Sequence, residues 1–240
     1  MAYGRACIFG ASGGIGKALC ERIAAANPDW TVHAGSRNKT DFAAPNVNPF
    51  RFDLEDEASI VDAARNIESK GPLDLVIVAT GVLQTDDFSP EKTWRALDAL
   101  TMAKVFAINT IGPALIAKHM IPLLRKDGRP VFAAICARVG SIEDNRLGGW
   151  HSYRASKAAL IMLIRNFAIE LKRQNKGAAA VALHPGTVDT DLSQPFQRNV
   201  APDKLFTPQY SAERLLSVIG SLTSDDSGRH LAWDGQPMPA

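Results

Sequence analysis

The sequence predicts an α/β domain built on a parallel sheet with helices on both faces. Short apolar runs alternate along the chain with longer amphipathic stretches, the pattern of βα repetition. Most of the short runs are unbroken rather than alternating, as strands buried on both faces are. A glycine cluster stands at the first strand-to-helix junction.

The elements follow in chain order. The first strand, residues 6–9, runs straight into Gly10-Ala11-Ser12-Gly13-Gly14-Ile15-Gly16, and the helix formers from Lys17 onward carry a helix over 14–26. Strands follow at 31–34 and 48–52, then a helix at 57–70 and a strand at 75–79. A long helical stretch covers 90–124, with a break expected near 99–102. A strand at 131–136, a helix at 152–175, a strand at 179–183, a helix at 208–222 and a strand at 229–233 complete the pattern. Residues 38–46, 140–151 and 193–207 are the least regular. Each follows a strand on its C-terminal side, the edge where open α/β sheets bind ligands. A length of 240 residues fits one large domain or two small ones. No linker, repeat or low-complexity segment interrupts it, so the reading is one domain over 1–240.

Hydrophobic residues make up 46% and charged residues 22%, which excludes a disordered, collagenous or disulfide-scaffold chain. A net charge of +2, from 27 basic and 25 acidic residues, leaves little excess to hold a nucleic acid. No uncharged apolar run approaches the ~18 residues of a membrane span. The N-terminus reaches its glycines too early for a signal-peptide core. Cys7, Cys20 and Cys136 fit neither a disulfide framework nor a metal cluster, so no metal is expected and a reducing cytoplasm is.

Glycine tolerates the unusual φ of a tight turn and lets backbone approach a phosphate. The helix that follows aims its N–H groups and partial positive charge at a bound pyrophosphate. A glycine cluster by itself marks only a turn. Between a strand and a helix it predicts a dinucleotide loop formed by Gly10, Ser12, Gly13, Gly14, Ile15 and Gly16. The spacing is Gly-x-x-x-Gly-x-Gly, not the commoner Gly-x-Gly-x-x-Gly.

The second strand ends Ala34-Gly35-Ser36-Arg37, with no carboxylate until Asp41 to hold a ribose and repel a 2′-phosphate. Arg37 offers a charged fork suited to phosphate and Ser36 a hydroxyl, which favours NADP(H) over NAD(H). The alternative is an ordinary solvated loop arginine. Asp53 is read two ways, as a partner of the adenine amino group or as a cap for the helix starting near Glu57.

Tyr153 and Lys157 lie four apart, on one face of a helix. A phenol with its usual pKa of ~10 is a poor acid–base catalyst at neutral pH, and an ammonium within ~4–6 Å draws it down. The same lysine can hydrogen-bond a ribose. Such pairs are common on amphipathic helices; the glycine loop gives this one its weight.

Together, Gly10-x-x-x-Gly14-Ile15-Gly16, Tyr153-x-x-x-Lys157 and Pro185-Gly186-Thr187-Val188-Asp189-Thr190 resemble the signatures of the short-chain dehydrogenases/reductases, in order and spacing. The resemblance covers essentially the whole chain. Residues 137–142 and 184–190 look like the C-factor-like branch, named for a cell–cell signalling protein and near the sniffer-type carbonyl reductases. The resemblance implies a single doubly wound Rossmann domain with a seven-stranded parallel sheet, and hydride transfer between NAD(P)(H) and an alcohol or carbonyl. It implies that Tyr153 is the acid–base group, that Lys157 tunes it and holds the nicotinamide ribose, and that Asn109 positions a water. A polar residue satisfying a helix irregularity is the plain alternative for Asn109. It further implies that Pro185, Gly186, Val188 and Thr190 contact the nicotinamide amide.

Two departures stand out. The family's Asn-Asn-Ala-Gly is here Val78-Ala79-Thr80-Gly81, which keeps Thr80 and Gly81 on the adenosine side but loses the asparagine bonds. Aligning Gly140 with the turn glycine after the fifth strand puts Ala137 where the catalytic serine belongs. Cys136 precedes it, and Ser141 is the nearest hydroxyl and the candidate substitute.

Residues 193–207, with Pro195, Phe196, Pro202, Leu205 and Phe206, occupy the place of the family's substrate lid, and Trp150 and His151 line the pocket or merely pack. The apolar residues of the 152–175 helix, Leu160, Leu163, Ile164, Phe167 and Leu171, predict a homodimer or homotetramer, or simply pack on the sheet. The leading expectation is an NADP(H)-dependent oxidoreductase acting on a small carbonyl or alcohol. The rival is a nucleotide-binding signalling or regulatory protein of C-factor type with weak or lost catalysis.

Overall fold

Every residue of Arg5–Phe9, strand β1, is buried. Ala6 and Ile8 pack into one apolar cluster and Cys7 and Phe9 into another, so the two-residue period of a strand is met with apolar side chains on both faces. The computed structural model describes residues 4–38 and 40–239. After β1 come α1 (Gly14–Ala26), β2 (Thr31–Ser36), β3 (Val47–Arg51), α2 (Glu57–Glu68), β4 (Leu75–Val78), α3 (Ala99–Phe106), α4 (Gly112–Met120) and β5 (Val131–Ile135). The chain continues through α5 (His151–Gln174), β6 (Ala179–His184), β7 (Thr187–Val188), β8 (Leu205–Phe206), α6 (Pro208–Ser221) and β9 (His230–Ala232).

Seven strands form one parallel sheet in the order β3-β2-β1-β4-β5-β6-β9. Leu19 and Ile23 of α1 and Leu215 and Val218 of α6 cover one face. Ile60 of α2, Ile116 and Met120 of α4 and Leu160 and Ile164 of α5 cover the other. Pro49, which cannot donate to a ladder, sits in the edge strand β3. The chain leaves β1 for β2 and β3 on one side and returns on the other at β4. A crevice therefore opens beyond the C-terminal ends of β1 and β4, the switch point at which such sheets bind ligands.

The single doubly wound domain and its seven-stranded sheet are as expected from the sequence. All seven predicted strands and four of the helices lie within two residues of their expected ends. The stretch 90–124 differs. Residues 90–98 are loop with one short turn at Trp94–Ala96. The helix begins only at Ala99, where Asp98 accepts the Thr101 N–H at 2.7 Å. The expected break near 99–102 is thus a capped start. The real irregularity is the wide turn Ala107–Ile111, where the Gly112 N–H reaches five residues back to the Ala107 carbonyl. Pro113 has no N–H to give Asn109, so the ordinary ladder cannot continue there.

Ala99–Leu123 is long and apolar enough to cross a membrane by length and composition, with a mean hydropathy of 1.5. In the fold it is a layer of the sandwich, with Ile116, Ala117 and Met120 packed beneath the sheet. The sequence reading also missed the parallel two-residue ribbon β7–β8, which pairs Thr187 with Leu205 and Val188 with Phe206. It closes the base of the 189–204 loop. The helix α2 is capped by Asp56, whose carboxylate accepts the Ala58 N–H at 3.1 Å. Asp53 is not that cap, because its carboxylate turns back on the Glu55 N–H at 3.0 Å.

Candidate active site

At the switch point the glycine loop is held by the end of β2. The N–H groups of Gly10 and Ala11 both donate to the Gly35 carbonyl, at 2.9 and 2.8 Å. Gly10 has φ +90°, and a Cβ there would lie 2.8 Å from the Ala79 carbonyl. A Cβ on Gly16 would lie 2.1 Å from the Gly10 carbonyl oxygen, so only glycine lets α1 sit this close to β1. Gly13 and Gly14 are exposed, as is Ser12, and Ile15 is half-buried. Helix α1 has no side-chain cap and no acidic residue in its first turn, so its first N–H groups face the crevice unopposed.

Across the crevice the Thr80 hydroxyl is buried without a partner. A buried hydroxyl without a bond is unfavourable, and one beside the end of the sheet fits a ligand with polar groups of its own. Arg37 stands exposed beyond β2. Ser36 is buried and donates to the Asn38 carbonyl at 2.6 Å, shaping the turn that carries Arg37. Asp53 lies just past β3 with its side chain half-buried.

The candidate pair Tyr153 and Lys157 sits at the start of α5. Tyr153 and Lys157 are both buried, and the Lys157 ammonium lies 5.9 Å from the Tyr153 ring centre. It donates to the Ile135 carbonyl at 3.1 Å. Burial, helped by neighbouring Cys136, pushes the Tyr153 phenol above its usual range, and burial holds the Lys157 ammonium below its own. The expectation that Lys157 draws the phenol down is therefore not met in this arrangement. Desolvation outweighs the ammonium, whose hydrogen bond goes to backbone.

Asn109 is fully buried in the wide turn. Its carbonyl oxygen accepts the Val82 N–H at 2.8 Å, and its amide donates to the Val82 carbonyl at 2.9 Å and to the Ser156 hydroxyl at 3.1 Å. Ser156 donates in turn to the Tyr153 carbonyl at 2.8 Å, and Thr110 to the Ser156 carbonyl at 2.8 Å. A Cβ on Gly81 would stand 3.5 Å from both the Asn109 oxygen and the Lys157 nitrogen. The structure thus brings Gly81, Asn109, Tyr153 and Lys157 together. The sequence reading passed over Ser156 as the joint between them, since nothing marks a serine inside Tyr-x-x-x-Lys.

The β5–α5 connection holds the residues around Ala137. Ala137 opens a short turn over Arg138–Gly140, and a Cβ on Gly140 would meet Lys157 at 2.9 Å. Cys136 is turned into the core and donates to the Lys157 carbonyl at 3.6 Å, so the thiol does not face the crevice. Ser141 is buried, and its hydroxyl accepts the Asp144 N–H at 3.0 Å. His184 accepts the Arg138 N–H at 3.3 Å. Burial, then the nearby His230 and Arg138, lowers its pKa to about 4, so it is neutral at pH 7.

Beyond His184, the buried Pro185 accepts the Ser211 hydroxyl at 2.8 Å, and Gly186 turns at φ +82° with Phe206 against it. Val188 is buried in the ribbon. The Thr190 methyl lies 2.8 Å from where a Gly14 Cβ would be, so this segment closes over the start of α1. Gln197 of the loop beyond ties back to Asp189 and Ser193, at 3.0 and 2.8 Å.

One more residue had no signal in the sequence. Glu91 is a buried carboxylate in the 79–98 loop. It accepts the Ser152 N–H at 3.2 Å and the Ser152 hydroxyl, while its backbone carbonyl accepts the Trp150 N–H. Trp150 has φ +51° and caps α5 without a side-chain bond. Its ring stands 6.3 Å from that of Tyr153 and 4.9 Å from that of Phe196, both edge-on.

Known proteins are similar to this chain. The C-signal of Myxococcus xanthus is 36% identical over 70% of this chain and 93% of its own. The 1-hydroxy-2-glutathionyl-2-methyl-3-butene dehydrogenase of Rhodococcus sp. (strain AD45) is 34% identical over 76% of each. Among solved structures, an NADPH-bound carbonyl reductase from chicken fatty liver superposes with a TM-score of 0.86 at 28% identity, over the full length of both chains. The short chain dehydrogenase family model matches residues 5–201, and the chain is an oxidoreductase of the short-chain dehydrogenase family.

Proposed function

We propose that the protein is an NADP(H)-dependent oxidoreductase that interconverts a small carbonyl compound and its alcohol, with Tyr153 as the acid–base group. The observation that carries this reading is the hydrogen-bonded joint from Asn109 through Ser156 to the Tyr153 carbonyl, which ties the wide turn to the start of α5, where a buried phenol stands beside Lys157. When bound, a reduced nicotinamide supplies a hydride to a carbonyl carbon. The Tyr153 hydroxyl gives its proton to the carbonyl oxygen and recovers it from the alcohol in the reverse direction. Burial keeps the phenol protonated, which suits the donor role in reduction. Lys157, which donates to the Ile135 carbonyl, is the group we assign to the nicotinamide ribose. Asn109 spends its side chain on Val82 and Ser156, so its part is to hold the turn from which a water would be positioned. Ser141 is the hydroxyl we assign to the carbonyl oxygen in place of the missing serine.

For the cofactor, the glycine cradle and the bare start of α1 suit a pyrophosphate, the Thr80 hydroxyl a polar edge and Asp53 the adenine. Pro185, Gly186, Val188 and Thr190 suit the nicotinamide amide. Arg37 and Ser36 support NADP(H) over NAD(H), and the NADPH named for the chicken carbonyl reductase supports the same choice. Buried, free Cys7, Cys20 and Cys136 support a cytoplasmic setting. Exposed Met162 and Ile169 on α5 support a homodimer or homotetramer.

A second reading rests on two observations, the relation to C-signal and the alanine at 137. It is a cofactor-binding signalling protein with slow or absent turnover. Fluorescence titration with NADPH and NADH, followed by NADPH oxidation against a carbonyl panel, separates the two. Turnover with tighter NADPH binding is expected. Binding without turnover favours the signalling reading, and tighter NADH binding removes the role of Arg37.

A further inference from the structure

Trp150 is held through its backbone and flanked by two rings. Behind it, Gly148 and Gly149 both turn at positive φ, +63° and +66°, and Trp150 itself adopts φ +51°, a conformation that a bulky side chain rarely takes. Such a conformation persists only where its surroundings impose it. Here the Glu91 carbonyl holds the Trp150 N–H, and the Glu91 carboxylate holds the next turn through Ser152. In front, the indole meets Tyr153 edge-on at 79° and Phe196 at 63°. Trp150 and Phe196 are each half-buried, so part of this aromatic surface faces outward.

The indole adjoins the ring of Tyr153, the proposed acid–base group, so a carbonyl bound there has this aromatic surface beside it. We propose that Trp150 and Phe196 form an aromatic wall that selects carbonyl compounds whose carbonyl carbon bears a flat, uncharged π-system. The proposal rests on the oxidoreductase reading and names its substrate class. Of the charged groups of the lid, Arg198, Asp203 and Lys204 are exposed, and nearby Asp189 is bound to Gln197. A flat ring packs against the indole or the phenyl by edge or face, whereas a saturated ring of the same carbon count offers only its area. An aromatic pair is worth a factor of about 2–12 beyond area.

The test uses the full chain with NADPH and compares kcat/KM for benzaldehyde and cyclohexanecarbaldehyde, which share one carbon count. Butane-2,3-dione, too small to lie along the wall, serves as the control. The wild type is expected to prefer benzaldehyde about tenfold, chiefly through KM. Trp150→Leu and Phe196→Leu are each expected to bring the preference to about twofold or less, with the dissociation constant for NADPH unchanged within about twofold. Phe196→Leu decides the matter if Trp150→Leu does not fold. Equal kcat/KM for the two aldehydes, with turnover of butane-2,3-dione, overturns the wall and leaves the oxidoreductase reading standing. A preference that survives both substitutions also overturns the wall. Bound NADPH with no turnover of any of the three overturns both.

Discussion

Replacing Glu91 by alanine tests how the start of α5 is held. Helix α5 has neither a capping side chain at Trp150 nor an acidic residue in its first turn. The missing acceptor comes from 61 residues away, where Glu91 takes the Ser152 N–H and hydroxyl. Both residues are buried, at 5% and 2% exposure, so water does not readily replace the carboxylate. A buried donor left unpaired costs about 1–3 kcal/mol, and the loss of a helix cap about 0.5–2 kcal/mol. These overlap, because both count the Ser152 N–H, and the hydroxyl can rotate toward another acceptor. The expected loss for Glu91→Ala is therefore about 3 kcal/mol, or a fall in Tm of roughly 6–12 °C for a domain of this size. Glu91→Gln keeps an oxygen for the N–H and offers an N–H to the hydroxyl oxygen, so its Tm stays within about 3 °C of wild type. Scanning calorimetry at pH 7 reads both variants. An unchanged Tm for Glu91→Ala refutes the cap. An equal fall for both variants shows that charge, not the pair of acceptors, holds the helix.

Arg37→Ala should weaken NADPH binding about 10- to 150-fold, the worth of a charge-assisted bond, and leave NADH within about twofold; equal losses for both would end the 2′-phosphate role. Buried His33 and His230 and half-buried His184 are each lowered to about 4, first by burial and then by neighbouring positive groups. Unfolded histidines take up protons below about pH 6.5. Stability is therefore full above that pH and is lost as pH falls toward 4. Thermal melts should show a lower Tm at pH 5 than at pH 7.5, and a flat Tm would show that these rings are not held neutral. Ser141→Ala should lower turnover of any accepted carbonyl about 10²–10³-fold if its hydroxyl serves the carbonyl oxygen; unchanged turnover removes Ser141 from the site.

The sheet was legible because its information is local. Ala-Cys-Ile-Phe before a glycine run can hardly be anything but a buried strand entering a tight turn, and Tyr153 and Lys157 carry their spacing on one helix. What escaped the sequence is non-local or depends on one missing atom. Pro113 moves the irregularity of the α3–α4 stretch to 107–111 by withholding an N–H, while Asp98 turns an expected break into a capped start. Ser156 becomes a joint only because the wide turn presents Asn109 and Thr110 to it, from 47 and 46 residues away. The two-residue ribbon β7–β8 is too short to leave a periodic signal. Asp53 and Asp56 are equally good caps by residue type, and only the entry angle of the chain into α2 chooses Asp56.

The alanine at 137 bears on both readings of function at once. Losing one donor to a developing oxyanion costs about 10²–10³ in rate. A positioned acid–base group contributes about 10²–10⁴, and orientation of two bound reactants contributes more still. In this chain the groups proposed to supply the last two effects are present: Asn109, Ser156 and the Tyr153 backbone are joined by hydrogen bonds, and the Lys157 ammonium stands 5.9 Å from the Tyr153 ring. A site short of only the first effect is slow, not inert. Slow turnover with undiminished cofactor binding is also the condition in which a signalling role and a catalytic one coexist. Ala137→Ser separates them. If the hydroxyl alone is missing, the substitution raises kcat/KM by about 10²-fold or more with NADPH affinity unchanged. If kcat/KM stays where it was, the carbonyl oxygen already has its donor, and the relation to C-signal then says nothing about lost catalysis.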